Sequence, residues 1–397
     1  MAQIFTLGCR LNQYDSARLK TILEKRGKDL IILNTCAVTA KATSEARKIL
    51  RRLKRENKNS KVAVIGCAVK YSLNPEMDFK EADFVAKDEK ELLKTIGDIS
   101  LNNEEIIPDF SGRTRALLKI QEGCDRKCSY CVVPFVRGKS RSRKICEIER
   151  EFESLIAAGY KEVVITGTNI SDYGKDLNEK SSLKDVLIDL LQKKGDFRIR
   201  LSSIEDSVID GEFIKLFKES GEKLCRHLHI PIQSGSPGVL KSMKRFQNVD
   251  KLEEKLNVIS SEIPLIGIGC DMLTAFPSEG EKEFEETVQF LERVPISFFH
   301  IFTFSNRLNT EAQNMKPLPY SVVKERKRLL SNIAKKKKME FLKKNEEKTV
   351  RALTLENNVA LSSNFISFRL IENYPPNVFG NFVLRLSKSG EPFGESV

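Results

Sequence analysis

The amino-acid sequence predicts an α/β protein in three parts: an amino-terminal doubly wound parallel-sheet domain over residues 1–113, a central open (β/α)6 barrel over 114–335, and a small carboxyl-terminal antiparallel β-barrel over 336–397. Three observations carry the prediction. Short apolar runs alternate with amphipathic helical stretches through the first two parts, the pattern of parallel strands covered by helices. From about residue 114 a second series of such units begins, six in all. Beyond a long lysine-rich helix the period changes to β-branched and aromatic alternation broken by Asn, Pro and Gly, as short antiparallel strands require. A chain of 397 residues is also too long for one ordinary core.

In the first part the strand candidates are QIFTLGC (3–9), LIILNTC (30–36) and VAVIGC (62–67), with a fourth, ADFVAK, at 82–87. The first three each end in cysteine. Parallel strands gather their carboxyl ends at one sheet edge, where such folds bind ligands, so Cys9, Cys36 and Cys67 are expected to converge. One cysteine at a strand end is ordinarily a small buried hydrophobe. Three at equivalent positions, 27 and 31 residues apart, point to a shared metal or cluster site.

The second part gives ALLKIQEG (116–123), KEVVITGTN (161–169), FRIRLSS (197–203), HLHIPIQ (227–233), PLIGIGCDMLTAF (264–276) and ISFFHIFTFS (296–305). Helical patterns lie between them; LKDVLIDLLQKKG has Ser182 as its N-cap and Gly195 as its stop. Polar, glycine-bearing tips (GTN, SSIE, QSGS, FPSEG) follow the strands, where barrel active sites are built. In the third part KTVRALTL (348–355), VALSSNFISFRLI (359–371) and GNFVLRLSK (380–388) read as strands.

Composition narrows the function. With 40% hydrophobic and 31% charged residues and no apolar run near the roughly 20 residues that span a bilayer, the chain reads as soluble, with no membrane partner. Its first 30 residues lack a signal-peptide pattern, so a cytoplasmic location is expected. Nine cysteines in such a chain are metal ligands, nucleophiles or buried hydrophobes before they are disulfides. The net charge of +12 is concentrated: residues 47–61 hold eight bases and one acid, 137–144 five bases, and 321–344 ten bases and two acids, leaving the rest net acidic. Any one tract reads equally well as a solvated helix face, but three in an otherwise acidic chain favour a polyanion, most simply nucleic acid.

The densest chemistry is GCDRKCSYCVVPFVRGKSRSR (123–143), with Cys124, Cys128 and Cys131 at spacing C-x3-C-x2-C after the first barrel strand. Structural zinc wants four protein ligands, yet the nearest further cysteine is Cys146 and all three histidines lie beyond residue 226. Three thiolates on a four-iron, four-sulfur (4Fe-4S) cube would leave one iron open to a small molecule, the arrangement of a cluster built to react.

This loop, with Tyr130 before its last cysteine, resembles the signature of radical S-adenosylmethionine (radical SAM) enzymes. Together with TLGCRLNQYDS, NTCAVT, VIGC, ITGTNI, HLHIPIQSGS and HIFTFSNRLNT it resembles the methylthiotransferases over about 300 residues. The resemblance implies two 4Fe-4S clusters. One, on Cys124, Cys128 and Cys131, binds S-adenosylmethionine (SAM), and an electron from an external donor cleaves that SAM to a 5′-deoxyadenosyl radical. The other, on Cys9, Cys36 and Cys67, carries a sulfur, from an external source, that a first SAM methylates. The radical then removes a substrate hydrogen and the methylthio group takes its place.

The family acts on a tRNA adenosine beside the anticodon or on a ribosomal-protein aspartate. The first motif looks most like the subgroup acting on C2 of N6-threonylcarbamoyladenosine at tRNA position 37, rather than on the isopentenyl-adenosine. The small β-domain resembles the family's RNA-binding TRAM module, and the basic tracts suit a phosphate backbone. A non-enzymatic nucleic-acid-binding protein with structural metal would explain the charge, but not triads that each stop at three ligands.

By the same resemblance Gly167, Thr168 and Asn169 after strand two, Ser203 and Glu205 after strand three, and Gln233 and Ser234 after HLHIP are SAM-contact candidates; turn or cap chemistry is the competing reading for each. His227, His229 and His300 read as satisfied core or lip histidines, and Cys146, Cys225 and Cys270 as packing residues. No catalytic acid or base is assigned, and the oligomeric state is not set by the sequence. Two departures stand out: TAFPSEGE where the family usually has a glycine-bearing turn, and SSIED for SSIEP.

Overall fold

Residues 2–97, 108–110, 112–179 and 181–397 are described by the structure, a computed structural model. Four parallel strands, β1 (Gln3–Thr6), β2 (Ile31–Thr35), β3 (Val62–Gly66) and β4 (Phe84–Val85), form the first sheet in chain order. Because strand side chains alternate faces, neighbouring residues feed two cores. Leu33 and Val64 pack with Leu50 and Leu53 of α2 (Ala40–Glu56). Ile32 and Ile65 pack with Leu19 and Ile22 of α1 (Arg10–Lys25) and Leu92 of α4 (Glu89–Thr95), so helices cover both faces as expected. Between β3 and β4 a short helix, α3 (Cys67–Tyr71), starts at the strand end itself.

The six expected barrel strands are all present and parallel to their neighbours: β5 (Arg115–Lys119), β6 (Glu162–Thr166), β7 (Arg198–Leu201), β8 (His227–Gln233), β9 (Gly267–Thr274) and β10 (Phe298–Thr303). Among the described residues they form two three-stranded halves joined by bridges at Ile199–Leu224 and Ser203–His229. A short helix, α5 (Val133–Arg137), follows the cysteine loop. Larger helices wrap the outside: α6 (Ile145–Ala157), α7 (Leu183–Leu191), α8 (Gly211–Glu219), α9 (Pro237–Ser242), α10 (Val249–Glu262) and α11 (Glu281–Arg293). Ser182 caps α7 with a reciprocal Asp185 capping box, but the helix ends at Leu191, a turn short of Gly195.

The basic helix α12 (Tyr320–Asn345) leads into β11 (Thr349–Leu355), β12 (Val359–Ser362), β13 (Ser367–Leu370), β14 (Phe379–Leu386) and β15 (Pro392–Ser396), closed in the order β11-β12-β13-β15-β14. The expectation of a purely antiparallel barrel needs correction: β13 and β15 run parallel, Arg369 opposite Phe393. A closed ring with an odd number of strands cannot alternate direction all the way round. One parallel pair is the minimum.

This small barrel sits on the amino-terminal mouth of the large one. Arg198 Nη2 donates to Leu361 O at 2.7 Å, and Arg200 Nη1 and Nη2 donate to Ser363 O and Ser362 O, each at 3.0 Å. Both arginines are fully buried and also grip Glu162, through Nε at 2.7 Å and 2.8 Å. Asn364 Nδ2 donates to Leu265 O at 2.9 Å, and Gly267 passes so close that a Cβ there would lie 2.2 Å from Asn364 O. Phe365 stacks on His227 with ring centroids 4.4 Å apart. Burial alone would raise the Glu162 carboxyl; Arg200, Arg198 and Arg115 outweigh it and hold the group well below the usual carboxylate range.

One prediction comes from these contacts and a second from a turn elsewhere in the barrel. Glu162→Gln leaves buried guanidiniums without their counter-charge, and urea denaturation at neutral pH should show a loss of about 3–5 kcal/mol. Because the folded-state carboxyl is depressed, its contribution is complete above the unfolded-state value. It is lost as pH falls through the folded one, so the gap between wild type and variant should close only in strong acid. At the turn that departs from the family pattern, Ala275 adopts φ 59°, its N–H donating to Glu279 Oε1 at 2.8 Å. Ala275→Gly should therefore raise stability by about 0.5–1 kcal/mol, read as a higher thermal midpoint.

Candidate functional site

The first three cysteines meet at the carboxyl edge of the first sheet. Cys9 is the N-cap of α1, Cys36 follows β2, and Cys67 opens α3 directly after β3. Gly8 (φ 94°) makes the approach possible, since a Cβ there would lie 2.8 Å from the Cys36 Cβ and 2.9 Å from its Sγ. Asn12, one turn into α1, joins two of the loops: its Nδ2 donates to Leu7 O at 2.7 Å and to Thr35 O at 2.9 Å. Its Oδ1 lies 3.9 Å from the Cys67 Sγ. Burial pushes the Cys36 and Cys67 thiols up, and the neighbouring Cys9 adds to both shifts, so the three groups lie within one another's field. Cys9 alone is exposed.

The second triad lies on the loop after β5. Cys131 N–H donates to Cys128 O at 3.1 Å, Val133 N–H to the Cys131 Sγ at 3.4 Å, and Cys124 N–H to Gly138 O at 3.0 Å. Gly123 (φ 80°) lets the loop close, for a Cβ there would fall 1.9 Å from Lys139 O. Ser129 pins the loop to the barrel through Met243 O and Ser242 O, at 3.0 and 2.9 Å. Burial pushes the Cys131 thiol to about 12, with Cys128 and Cys124 contributing in the same direction.

Arg137, at the end of α5, connects the two triads. Its Nη1 donates to Asp15 Oδ2 and to Glu122 Oε1, both at 2.7 Å, and its Nη2 donates to Asn12 Oδ1. Lys119 Nζ completes the cluster on Asp15 Oδ1 at 2.7 Å. Burial opposes the Arg137 charge, but Asp15, the Cys67 sulfur and Glu122 outweigh it and keep the guanidinium cationic. Two more residues fasten the same interface: Tyr14 donates to Glu151 at 3.0 Å, and Arg307 donates to Ala37 O, next to Cys36, at 2.7 Å.

A cavity of about 570 Å³ opens where the two parts face each other, large enough for a small-molecule or nucleoside ligand. Cys9, Cys36 and Cys67 line one side and the barrel interior lines the other. Cys124, Cys128 and Cys131 are not in its wall; Val133, Val136 and Arg137, which follow them, are. Gly167, Thr168 and Ser203 also line it. Asn169 and Glu205 are instead buried in hydrogen bonds, Asn169 N–H to Gln121 Oε1 at 2.9 Å and Glu205 Oε2 from Arg245 Nη2 at 2.8 Å. Arg126 also pairs with Glu205, at 3.1 Å, tying the cysteine loop to the barrel. Ser234 is fully buried, its hydroxyl 3.1 Å from that of Thr287, and Gln233 sits in the left-handed region (φ 72°).

Two of the histidines are satisfied at the cavity lip, as the sequence reading expects, and only His227 departs from it. His229 Nε2 and His300 Nδ1 both approach Asp271 Oδ1, at 2.9 and 3.2 Å, on the cavity wall. The hydrogen bond to Asp271 raises His300, while burial lowers His227 well below its usual value and leaves both its ring nitrogens without partners. Cys225 and Cys270 are packing residues as expected, whereas Cys146 is exposed. Sequence reasoning missed Asn12, Arg137, Asp271 and Arg245; the first two sit inside quoted motifs, yet only the fold shows that they touch.

The donor chemistry fits iron–sulfur ligation. Each triad offers three thiols within mutual electrostatic reach, and the remaining cysteines lie elsewhere. Much of the basic sequence is engaged within the protein: Arg47, Arg51 and Lys54 pair with Asp78, Glu81 and Asp83, and Arg143 pairs with Glu151. No helix among the described residues is long and apolar enough to cross a membrane.

Comparison with known proteins gives two family matches: Radical SAM superfamily over residues 118–291 and Uncharacterized protein family UPF0004 over residues 1–86. The chain is 37% identical over 393 residues to the threonylcarbamoyladenosine tRNA methylthiotransferase MtaB of Aquifex aeolicus, covering 92% of this chain and 95% of that protein. It is 32% identical over 382 residues to the tRNA-2-methylthio-N(6)-dimethylallyladenosine synthase of Clostridium tetani, covering 88% and 84%. Among solved structures, the radical S-adenosylmethionine methyltransferase TsrM of Kitasatospora setae shares the fold, with a TM-score of 0.59 at 15% identity over 79% of this chain and 73% of that one.

If Arg137 and Asp15 act as one unit, a double-mutant cycle with Arg137→Met and Asp15→Asn should give a coupling energy of about 1–3 kcal/mol in urea denaturation. Strict additivity would show that the two parts are held together by other contacts.

Proposed function

The chain belongs to the radical SAM methylthiotransferase family, and from that membership we propose that it adds a methylthio group to C2 of N6-threonylcarbamoyladenosine beside the anticodon of a tRNA. The observation that carries this reading is the placement of the first cysteine triad. It opens into the barrel cavity, across from the strand ends where barrel chemistry is built, in a chain that matches 95% of a relative bearing that name.

Cys9, Cys36 and Cys67 would hold one 4Fe-4S cluster and Cys124, Cys128 and Cys131 the other. When bound, the clusters and SAM supply a carbon radical able to take a hydrogen atom and a methylated sulfur to replace it. The protein's own groups position and exclude. Asn12 and Arg137 keep the two thiol sets in fixed relation. Gly167, Thr168 and Ser203 shape the wall where SAM would lie; the roles of Asn169, Glu205, Gln233 and Ser234 would be to support that wall through the loops they hold. Phe302, 45% exposed on the cavity, offers a face on which a base can stack. Lys139, Lys144 and the exposed lysines of α12 are among the cations left for an RNA backbone. The reaction further needs an external electron donor and a sulfur source, and reduced cysteines suit a cytoplasmic setting.

The test is metal analysis followed by an assay. Anaerobically reconstituted protein should carry about eight irons, falling to about four when Cys9, Cys36 and Cys67 are all replaced by Ala. Cys9→Ala should abolish methylthiolation of tRNA with SAM cleavage still measurable, and Cys128→Ala should abolish both. SAM cleavage by Cys128→Ala, or zinc in place of iron, would sink the assignment.

A further inference from the structure

Arg10 lies in the cavity without a partner. It follows Cys9 as the first residue of α1 and lines the cavity wall. Its guanidinium is within electrostatic reach of Arg115, Arg200, Glu162 and Asp271, all residues of the barrel strands, so it points into the barrel rather than across the surface. Among the described residues it forms no hydrogen bond and no ion pair. The carboxylates within reach are already engaged: Asp271 Oδ1 with His229 and His300, and Glu162 with Arg115, Arg198 and Arg200. Of these four guanidiniums Arg10 is the one with no carboxylate oxygen in hydrogen-bonding or ion-pair range, and it lies on the cavity wall. A guanidinium partly withdrawn from water with no carboxylate in direct contact is under-compensated, and its planar fork is shaped for one.

The substrates named for the two relatives differ at this point of chemistry. A threonylcarbamoyl group on adenosine carries a carboxylate; a dimethylallyl group is hydrocarbon and carries no charge. Resting on the function proposed above, we infer that Arg10 is the specificity-determining residue, pairing through its guanidinium with the carboxylate of the threonylcarbamoyl group. One residue from Cys9, it holds the modified base beside the first triad. An RNA phosphate would have to enter the barrel to reach the same guanidinium. The SAM carboxylate is a second anion that could reach it, and leaving SAM out of the binding measurement removes that competitor.

The experiment uses two anticodon stem-loop RNAs, one bearing N6-threonylcarbamoyladenosine and one with that carboxyl converted to the primary amide. Each is titrated without SAM against cluster-reconstituted wild type, Arg10→Gln and Arg10→Lys, with fluorescence anisotropy as the readout. Wild type should prefer the carboxylate RNA by about 10- to 100-fold, Arg10→Gln should bring the ratio to about 1, and Arg10→Lys should retain part of it. Reading the ratio within each protein removes any effect of partial unfolding. A wild-type ratio near 1, or an undiminished ratio in Arg10→Gln, overturns the inference. The function reading fails separately. Wild type that prefers the carboxylate RNA yet gives no methylthiolated base by mass spectrometry would end that reading and leave the role of Arg10 standing.

Discussion

The architecture depends on one guanidinium. Arg137 belongs to the cysteine loop of the barrel, yet its hydrogen-bond partners include Asn12 and Asp15 of the first helix of another sheet. Asn12 in turn holds the backbone just ahead of Cys9 and Cys36. The chain of contacts from one thiol set to the other therefore passes through two side chains and no flexible segment. Buried ion clusters of this kind contribute little net stability over apolar packing, but they fix register, because a misplaced arginine would leave Asp15 and Glu122 to share Lys119. The function proposed, shared between two thiol sets, needs such a constraint more than it needs extra stability.

A second guanidinium cluster holds the opposite end of the barrel. Arg198 and Arg200 lie on alternate positions of β7, so both point inward, where Glu162 of the adjacent strand receives them. Their remaining N–H groups reach the carbonyls of residues 361–363. The open (β/α)6 barrel is thus closed at one mouth by a borrowed turn and faced at the other by the cysteine edge of the first sheet. The cavity lies between these two ion clusters.

Much of this was legible in the sequence. Apolar runs ending in Cys9, Cys36 and Cys67 marked the parallel sheet and the edge at which these cysteines meet, since strand period and chain direction are local properties. The six barrel strands and the Ser182 cap were readable for the same reason. The parallel β13/β15 pair was not, because it comes from ring closure, which no local pattern encodes. Nor were the duties of the basic residues. Arg137 and Arg143 look like neighbours in a cationic tract, and only their partners Asp15 and Glu151, far off in the chain, show that they are structural. His229 and His300 share a carboxylate on a strand between theirs, a relation that alternation hints at but pairing register decides.

The turn at residues 362–366 gives the protein an unusual heredity. Phe365 lies in the cavity wall beside His227, though it belongs to the carboxyl-terminal barrel. The module that looks most exchangeable thus supplies part of the cavity's floor. A chimera with a foreign tail would keep every cysteine and still present a chamber of different depth. Exchanging the tail here would remake the pocket.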